Sequence, residues 1–283
     1  MWTVRHVVTK SDEVNYKVRE SGDPTASETV VLIHGQAWTG EVWQMVAKRL
    51  QNLHIVAPDM AGCGDNGLSK SYDFDTLSKQ LIDVLDQMHV QKFWLVGHSW
   101  GASLALHFAT HYSERVKGLM LVDAGYLKYQ EWPGISWEAF TDFSYPEDFL
   151  SSIDHYLHLQ KQDTPFWNED VQRSVMDQVN EMEDGTLRFK CLPATELAYS
   201  HALWDFDPDE HAVHLKMPVF LTIAESQSQK NDPIIAYKKR SREHFCSIAK
   251  QSHCVIMKDT THMVMLERPK ELAQEIREMI KAS

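Results

Sequence analysis

One serine in this sequence has neighbours of the types and spacing that suit covalent chemistry. Ser99 is the centre of Gly97-His98-Ser99-Trp100-Gly101, which follows the apolar run Phe93–Val96 and precedes a stretch of helical composition. This is a G-x-S-x-G pattern between a buried strand and a helix. A serine on so sharp a turn needs a strained backbone, and the two glycines remove side chains that would collide with neighbouring elements. The pattern predicts that Ser99 is a nucleophile at the head of a helix.

A serine nucleophile requires two further kinds of group. Its hydroxyl is weakly nucleophilic at neutral pH, so a base must accept its proton, and 15 histidines are available. Two N–H donors must also stabilise the developing oxyanion. By position, these are the backbone N–H groups of Trp100, directly after Ser99, and of Gln36, which follows His34-Gly35 at the end of an earlier apolar run.

The elements that would position these groups alternate between apolar strands and amphipathic helices. Short apolar runs, typical of buried strands, occur at 29–33, 53–57, 93–96, 118–122 and 219–224, and a further strand is predicted at 254–257. Helical spacing separates them, at 41–50, 75–88, 234–249 and 269–280. An antiparallel pair is predicted at the start, over 3–8 and 14–20. The order predicts an α/β fold with a mostly parallel sheet and helices on both faces.

The alternation stops after Asp123. Residues 126–207 contain helical stretches and many aromatic residues but no convincing buried strand, and the strand–helix order then resumes. We therefore predict a core of residues 1–125 and 208–283, interrupted by a helical cap at 126–207. Because a cap over Ser99 would also wall a pocket, we expect a mainly apolar pocket with Trp38, Trp132, Trp137 and Phe140 among its lining residues.

Composition excludes several classes of function. The net charge of −12 disfavours a nucleic-acid or anionic-membrane partner, because both require a basic face. The first residues lack the apolar core of a signal peptide, and no run is long enough to span a bilayer. Four cysteines without a CxxC pattern indicate reduced thiols. We expect a cytoplasmic protein that acts on a small molecule with an apolar portion.

Four separated signatures together resemble the α/β-hydrolase superfamily with a helical cap. They are His34-Gly35-Gln36 after the first buried strand, 58–64 after the second, the Ser99 turn, and Thr261–Pro269 before the last helix. The resemblance covers essentially the whole chain. It implies an α/β-hydrolase fold with an eight-stranded sheet, and a Ser–acid–His triad on loops at the carboxyl edge of that sheet, in that chain order.

The resemblance assigns the base but leaves the acid open. His262 has the flanks of the family's histidine loop and is therefore expected to be the base. Most relatives carry an aspartate shortly after the strand at 219–224, where this chain has Gln227. Asp123, 24 residues after Ser99 at the end of the next strand, occupies the place used by haloalkane dehalogenases and zearalenone-type lactonases. Asp123 is the preferred acid, and Glu225, Asp232 and Asp205 are the alternatives.

The function implied is acyl transfer by a serine hydrolase acting on carboxylic esters, or on lactones or thioesters. An aminopeptidase of the proline-iminopeptidase type, a C–C bond hydrolase and a slow-turnover ligand-binding sensor of the same fold are the alternatives.

No metal and no organic cofactor are predicted. The glycines at 62–67 match GxGxxG, but polar loop rather than helix follows them, and the histidines show no HExxH or other close ligand cluster. The run Lys238-Lys239-Arg240 is predicted to be a solvated helix face.

Overall fold

The structure is a computed structural model that describes residues 2–226 and 233–282. Within these ranges the chain forms ten strands: β1 (Thr3–Val8), β2 (Asn15–Gly22), β3 (Thr29–Ile33), β4 (His54–Pro58), β5 (Phe93–His98), β6 (Val116–Val122), β7 (Val179–Glu181), β8 (Leu187–Phe189), β9 (Val219–Glu225) and β10 (Ser252–Lys258). The helices of the same ranges are α1 (Gln44–Ala47), α2 (Phe74–Gln87), α3 (Trp100–His111), α4 (Trp137–Phe140), α5 (Ile153–Gln162), α6 (Glu169–Met176), α7 (Pro193–Trp204), α8 (Pro208–Ala212), α9 (Pro233–Ile248), α10 (Val264–Glu267) and α11 (Pro269–Lys281).

Eight of the strands form one sheet in the order β1-β2-β4-β3-β5-β6-β9-β10. β2 pairs antiparallel with β1 and with β4. The remaining neighbours in the sheet, in the order β4-β3-β5-β6-β9-β10, run parallel to one another. The α/β-hydrolase fold with a mostly parallel eight-stranded sheet is therefore confirmed. Because these six strands are parallel, the loops that follow them all emerge at the carboxyl edge of the sheet.

Both faces of the sheet are covered, as the continuous apolar strands predict. In β5, Phe93 and Leu95 belong to the apolar cluster that contains α2 and α3. Trp94 and Val96, which alternate with them, belong to the opposite cluster, which contains α1 and α11. Alternate side chains of a strand point to opposite faces, so an unbroken apolar run is what a doubly covered strand requires.

Two local predictions need correction. The helix expected over 41–50 is a 3₁₀ turn at Gly40–Trp43 followed by the four-residue α1. The segment between β6 and β9 is helical, but it also contains an antiparallel hairpin of β7 and β8. Its turn is set by local polar contacts, because Asp184 Oδ1 accepts the N–H of Thr186 at 3.0 Å and Gly185 has a φ of 83°. Strands of three residues are too short to show periodicity.

A buried ion cluster joins this inserted segment to the sheet. Arg19 of β2, which is 2% exposed, pairs with Asp59 after β4, with Glu41 at 3.2 Å and with Asp177 at the end of α6. Thr39 Oγ1 donates a hydrogen bond to the same Asp177 carboxylate. A buried cation facing several carboxylates is costly to remove, because the remaining charges lose their partner inside a low-dielectric interior.

None of the described helices has both the length and the apolarity needed to cross a bilayer.

Arg19→Gln is expected to lower the free energy of unfolding by about 3–5 kcal/mol, because it leaves buried carboxylates unpaired. Urea unfolding followed by circular dichroism measures this loss. Arg5→Gln is the matched control, since Arg5 also pairs with a carboxylate, Glu20, but its side chain is 52% exposed. That substitution should cost less than about 1 kcal/mol. Equal losses in the two variants would contradict a structural role for the buried cluster.

Candidate active site

Ser99 lies on a strained turn between β5 and α3. Its φ of 55° and ψ of −124° are outside the regions that non-glycine residues ordinarily occupy. A Cβ on Gly97 would lie 2.2 Å from the carbonyl oxygen of Gly101, and a Cβ on Gly101 would lie 2.3 Å from the carbonyl oxygen of His34. Both positions therefore require glycine if α3 is to approach β3 and β5 this closely. The turn leaves Ser99 at the head of α3.

The two predicted oxyanion donors lie beside Ser99. Trp100 is the first residue of α3, and the first N–H groups of a helix have no acceptor within the helix. The loop after β3 passes close to the serine, since a Cβ on Gly35 would lie 3.2 Å from Ser99 Cβ. The next residue, Gln36, is held by its side chain, because its Nε2 donates to Ser200 Oγ at 2.9 Å and to the Glu196 carbonyl at 3.1 Å.

His34 anchors this loop as a neutral imidazole. Its Nδ1–H donates to the carbonyl of Gly35 at 2.7 Å, and its Nε2 accepts the N–H of Met60 at 2.8 Å. The side chain is fully buried, and this burial lowers the pKa of His34 from 6.5 to about 4. The anchoring matches the role predicted for it from sequence.

His262 and Asp123 are hydrogen-bonded to each other. His262 Nδ1 lies 2.7 Å from Asp123 Oδ2, and the aspartate side chain is only 1% exposed. Asp123 follows β6 directly, with a φ of 51°, and its Oδ1 accepts the N–H of Ala224 at 3.1 Å. Because Nδ1 of His262 is engaged, its Nε2 is the ring nitrogen available to accept a proton.

The other acid candidates lie elsewhere or outside the described residues. Glu225 is the exposed last residue of β9, and Asp205 ends α7, where it accepts a hydrogen bond from Gln130 Nε2 at 3.4 Å. Gln227 and Asp232 are not among the described residues. Among those that are, Asp123 is the carboxylate bonded to His262.

A cation that sequence reasoning placed on a solvated face contacts Asp123. Lys238 of α9 has its Nζ 3.3 Å from both carboxylate oxygens, and its side chain is 19% exposed. The solvated-face prediction is therefore wrong for Lys238, because a charge run in sequence does not show which lysine turns inward. Asp123 therefore contacts the imidazole of His262 on one side and the ammonium group of Lys238 on the other.

His98, next to the serine, positions the histidine loop. Its Nε2–H donates to the backbone carbonyl of His262 at 2.9 Å, and the two rings are 4.6 Å apart. Burial lowers the pKa of His98 well below 6.5, so this ring is neutral and serves as a packing and anchoring group, the role predicted for it.

A cavity of about 700 Å³ opens onto these groups. It is lined by Ser99, Asp123 and His262, by Gln36, and by residues of the inserted segment and of α9. Its apolar wall includes Tyr129, Trp132, Phe140, Phe143 and Leu203.

Two of the four predicted pocket aromatics do not line this cavity. Trp132 and Phe140 do. Trp38 packs instead against the apolar cluster that contains α1 and α11. Trp137 packs on His201, at 4.2 Å between ring centroids, and on Trp204 at 5.5 Å. Helical composition does not reveal which side of a short helix faces the core, and α4 turns Trp137 towards α7.

Three further groups escaped sequence reasoning. Lys238 and Glu196 line the cavity, and burial raises the pKa of Glu196 above its usual value. The expectation that no histidines cluster is also wrong, because the ligand atoms of Asp75, His107 and His111 lie within 4.8 Å of one another. The i, i+4 spacing of His107 and His111 on a helix was the available signal.

Comparison with known proteins assigns the family. Residues 30–275 match the model described as "Alpha/beta hydrolase family". The chain belongs to the alpha/beta hydrolase family. That match spans both the Ser99 turn and the His262 loop.

Similar proteins carry several names within this family. A pimeloyl-[acyl-carrier protein] methyl ester esterase of Vibrio vulnificus is 29% identical over 197 residues, covering 67% of this chain and 72% of that protein. A putative 2-succinyl-6-hydroxy-2,4-cyclohexadiene-1-carboxylate synthase of Bacillus subtilis is 34% identical over 117 residues, covering 40% of this chain and 42% of that protein. The solved structure of E-2-(acetamidomethylene)succinate hydrolase superposes with a TM-score of 0.79 at 18% identity, covering 99% of this chain and 100% of that one.

The burial of His34 is expected to make the fold sensitive to acid. The unfolded chain binds a proton at this histidine below about pH 6.5, whereas the folded chain does so only near pH 4. Stability should therefore fall as the pH is lowered from about 6.5 to 4, by up to roughly 3 kcal/mol from this group. Urea unfolding at a series of pH values measures the slope.

His34→Asn should make that slope shallower by removing the buried imidazole. His158→Asn, which removes an exposed histidine of α5, should leave it unchanged. An unaltered slope in His34→Asn would show that other groups cause the acid sensitivity.

Proposed function

We propose that this hydrolase cleaves carboxylic esters, with Ser99 as nucleophile, His262 as base and Asp123 as the acid that orients the base. The observation that carries the proposal is the 2.7 Å bond from His262 Nδ1 to the buried carboxylate of Asp123, at the edge of the cavity that exposes Ser99. Lactones and thioesters contain the same electrophilic carbonyl and belong to the same proposed substrate class.

The reaction proceeds through an acyl-enzyme. Ser99 Oγ attacks the ester carbonyl while His262 Nε2 accepts its proton, and the N–H groups of Trp100 and Gln36 stabilise the oxyanion. His262 then donates the proton to the leaving alcohol. Water, activated by the same nitrogen, attacks the acyl-enzyme and releases the acid. Asp123 stabilises the imidazolium that forms in both halves of the reaction.

The cavity supports a substrate with an apolar portion. Aromatic side chains from the inserted segment form one wall, and this wall suits an acyl or alkyl group. The name of the Vibrio vulnificus relative, a methyl ester esterase, agrees with ester cleavage.

One observation favours a second candidate, an aminopeptidase of the proline-iminopeptidase type. Glu196 is a half-buried acidic residue of the cavity lining, and a carboxylate there would pair with the amino group of a peptide substrate. Against this candidate, 59–62 reads Asp-Met-Ala-Gly, where those peptidases usually have D-x-R-G.

The purified protein is expected to hydrolyse short-chain p-nitrophenyl esters, and Ser99→Ala should abolish this activity because it removes the nucleophile. A fluorophosphonate should label the wild type but not Ser99→Ala. Circular dichroism checks that the variant is folded.

The same assays separate the alternatives. Complete labelling by the fluorophosphonate with negligible turnover on esters and lactones would overturn the esterase proposal in favour of a ligand-binding sensor. Faster cleavage of proline p-nitroanilide than of any ester would favour the aminopeptidase.

Asp123→Asn is expected to lower kcat/KM by about 10³-fold or more, since an amide cannot stabilise the imidazolium and favours the wrong tautomer of His262. The asparagine retains an oxygen for the N–H of Ala224, so the loop geometry is preserved. Glu225→Gln, the same change at the end of β9, should alter kcat/KM by less than about threefold. Wild-type activity in Asp123→Asn would exclude this residue as the acid.

A further inference from the structure

A second cluster of chemically competent side chains lies on α2 and α3, outside the cavity just described. His107 and His111 occupy positions i and i+4 of α3, and Asp75 is in the first turn of α2. One ligand atom from each lies within 4.8 Å of the other two. Two histidines at this helical spacing project from one face, which is the arrangement that lets two imidazoles share a metal ion.

Hydrogen bonds engage Nδ1 of both histidines, so Nε2 is the nitrogen of each ring that can bind an ion. His111 Nδ1 lies 2.9 Å from the backbone carbonyl of His107 and must donate to it, because a carbonyl only accepts. The neutral His111 ring therefore carries its lone pair on Nε2. His107 Nδ1 is engaged by Ser78 Oγ at 3.1 Å, and its Nε2 lies 3.1 Å from Asp75 Oδ1.

These contacts have the form of the outer shell of a metal site. Metal-ligating histidines characteristically donate their second ring nitrogen to a carbonyl or another acceptor, which fixes the ring and its tautomer. The separation of 3.1 Å between His107 Nε2 and Asp75 Oδ1 is close to the ~3.3 Å edge of a tetrahedron with bonds of about 2.0 Å. The rings of His107 and His111 are stacked, with 4.1 Å between their centroids, so the two side chains lie on the same face of α3.

A third imidazole, that of His211, lies beside the rings of His107 and His111. The ring of His211 in α8 lies 5.1 Å from that of His107 and 5.9 Å from that of His111. Its Nδ1 is buried without a hydrogen-bond partner in the described part of the chain.

We propose that Asp75, His107 and His111 bind a divalent transition-metal ion, specifically Zn²⁺. The bound ion would link α2, which carries Asp75, to α3, which carries the two histidines. The donor set decides the class of ion, because two imidazole nitrogens and one carboxylate suit zinc and its neighbours rather than calcium or magnesium. His107 lies two helical turns beyond Trp100 on α3, so the site is separate from the proposed triad. Its expected effect is stabilisation of the fold, since the ion binds the folded chain only.

The test uses untagged full-length protein, stripped with a chelator and dialysed, so that no added histidines compete for the metal. Calorimetric titration with ZnCl₂ at pH 7 should show one ion per chain, and CoCl₂ should give visible absorption bands of a nitrogen- and oxygen-ligated ion. Zinc should raise the midpoint of thermal unfolding by several degrees.

Ligand variants identify the site. Asp75→Asn and His111→Gln, both at exposed positions, should each weaken zinc binding by tenfold or more. The matched controls are Asp154→Asn, also in the first turn of a helix, and His158→Gln, both exposed on α5. They should leave affinity unchanged. Circular dichroism without metal checks the fold of each variant.

Three results would overturn the proposal. The first is the absence of heat and of cobalt absorption in the wild type. The second is wild-type affinity in both Asp75→Asn and His111→Gln. The third is loss of binding in His262→Gln, which would place the ion at the proposed triad instead.

Discussion

The close approach of α3 to the sheet is the constraint on which the candidate site depends. At Gly97 and Gly101 there is no room for even a methyl group, because backbone carbonyls occupy the space where a Cβ would lie. Only this spacing lets the chain reverse from β5 into α3 within one residue, and that residue, Ser99, takes the strained conformation as a result. The strain is held in place by the buried sheet and by the packing of α3 over β5 and β6. Removing either glycine would separate the helix from the strands that position Ser99.

The parallel sheet then determines which groups can meet at this turn. β3, β5 and β6 are adjacent, so the Gly35-Gln36 loop, Ser99 and Asp123 all emerge side by side at one edge. His98 and Val122 are register partners, which places Asp123 directly beside the nucleophile turn. His262 reaches this edge from the loop after β10 and is tied to it by His98. An acid after β6 and an acid after β9 are therefore geometrically close alternatives, since β6 and β9 are neighbours. This adjacency explains how a chain with Gln227 after β9 can still present a carboxylate to its histidine.

The parts predictable from sequence were those encoded by local pattern. The apolar runs of β3 and β5 require burial on both faces of the sheet, which indicates a parallel sheet covered by helices. The G-x-S-x-G pattern indicates the tight turn between strand and helix. Groups that depend on contacts between distant segments were not predictable. Lys238 looks like its neighbours in sequence and differs only in facing Asp123. Trp137 and Phe140 lie three residues apart on one short helix and both pack on Trp204 of α7, yet only Phe140 lines the cavity. The β7–β8 hairpin is too short to show alternation, and the meeting of Asp75 with His107 requires the packing of α2 on α3.

The contact of Lys238 with Asp123 changes the electrostatics expected of a buried carboxylate beside a histidine. A carboxylate that is 1% exposed ordinarily needs a cationic partner if it is to carry a charge in the interior. Here the ammonium group of Lys238, 3.3 Å from both oxygens of Asp123, supplies that partner. Under the proposed mechanism, the same cation competes with the imidazolium of His262 for that charge and therefore stabilises the resting site more than the transition state. Lys238 comes from α9, which follows β9 along the chain, and its Nζ reaches Asp123 after the neighbouring strand β6. The position of Asp123 and the inward turn of Lys238 therefore meet in one contact, which no local pattern in the sequence shows.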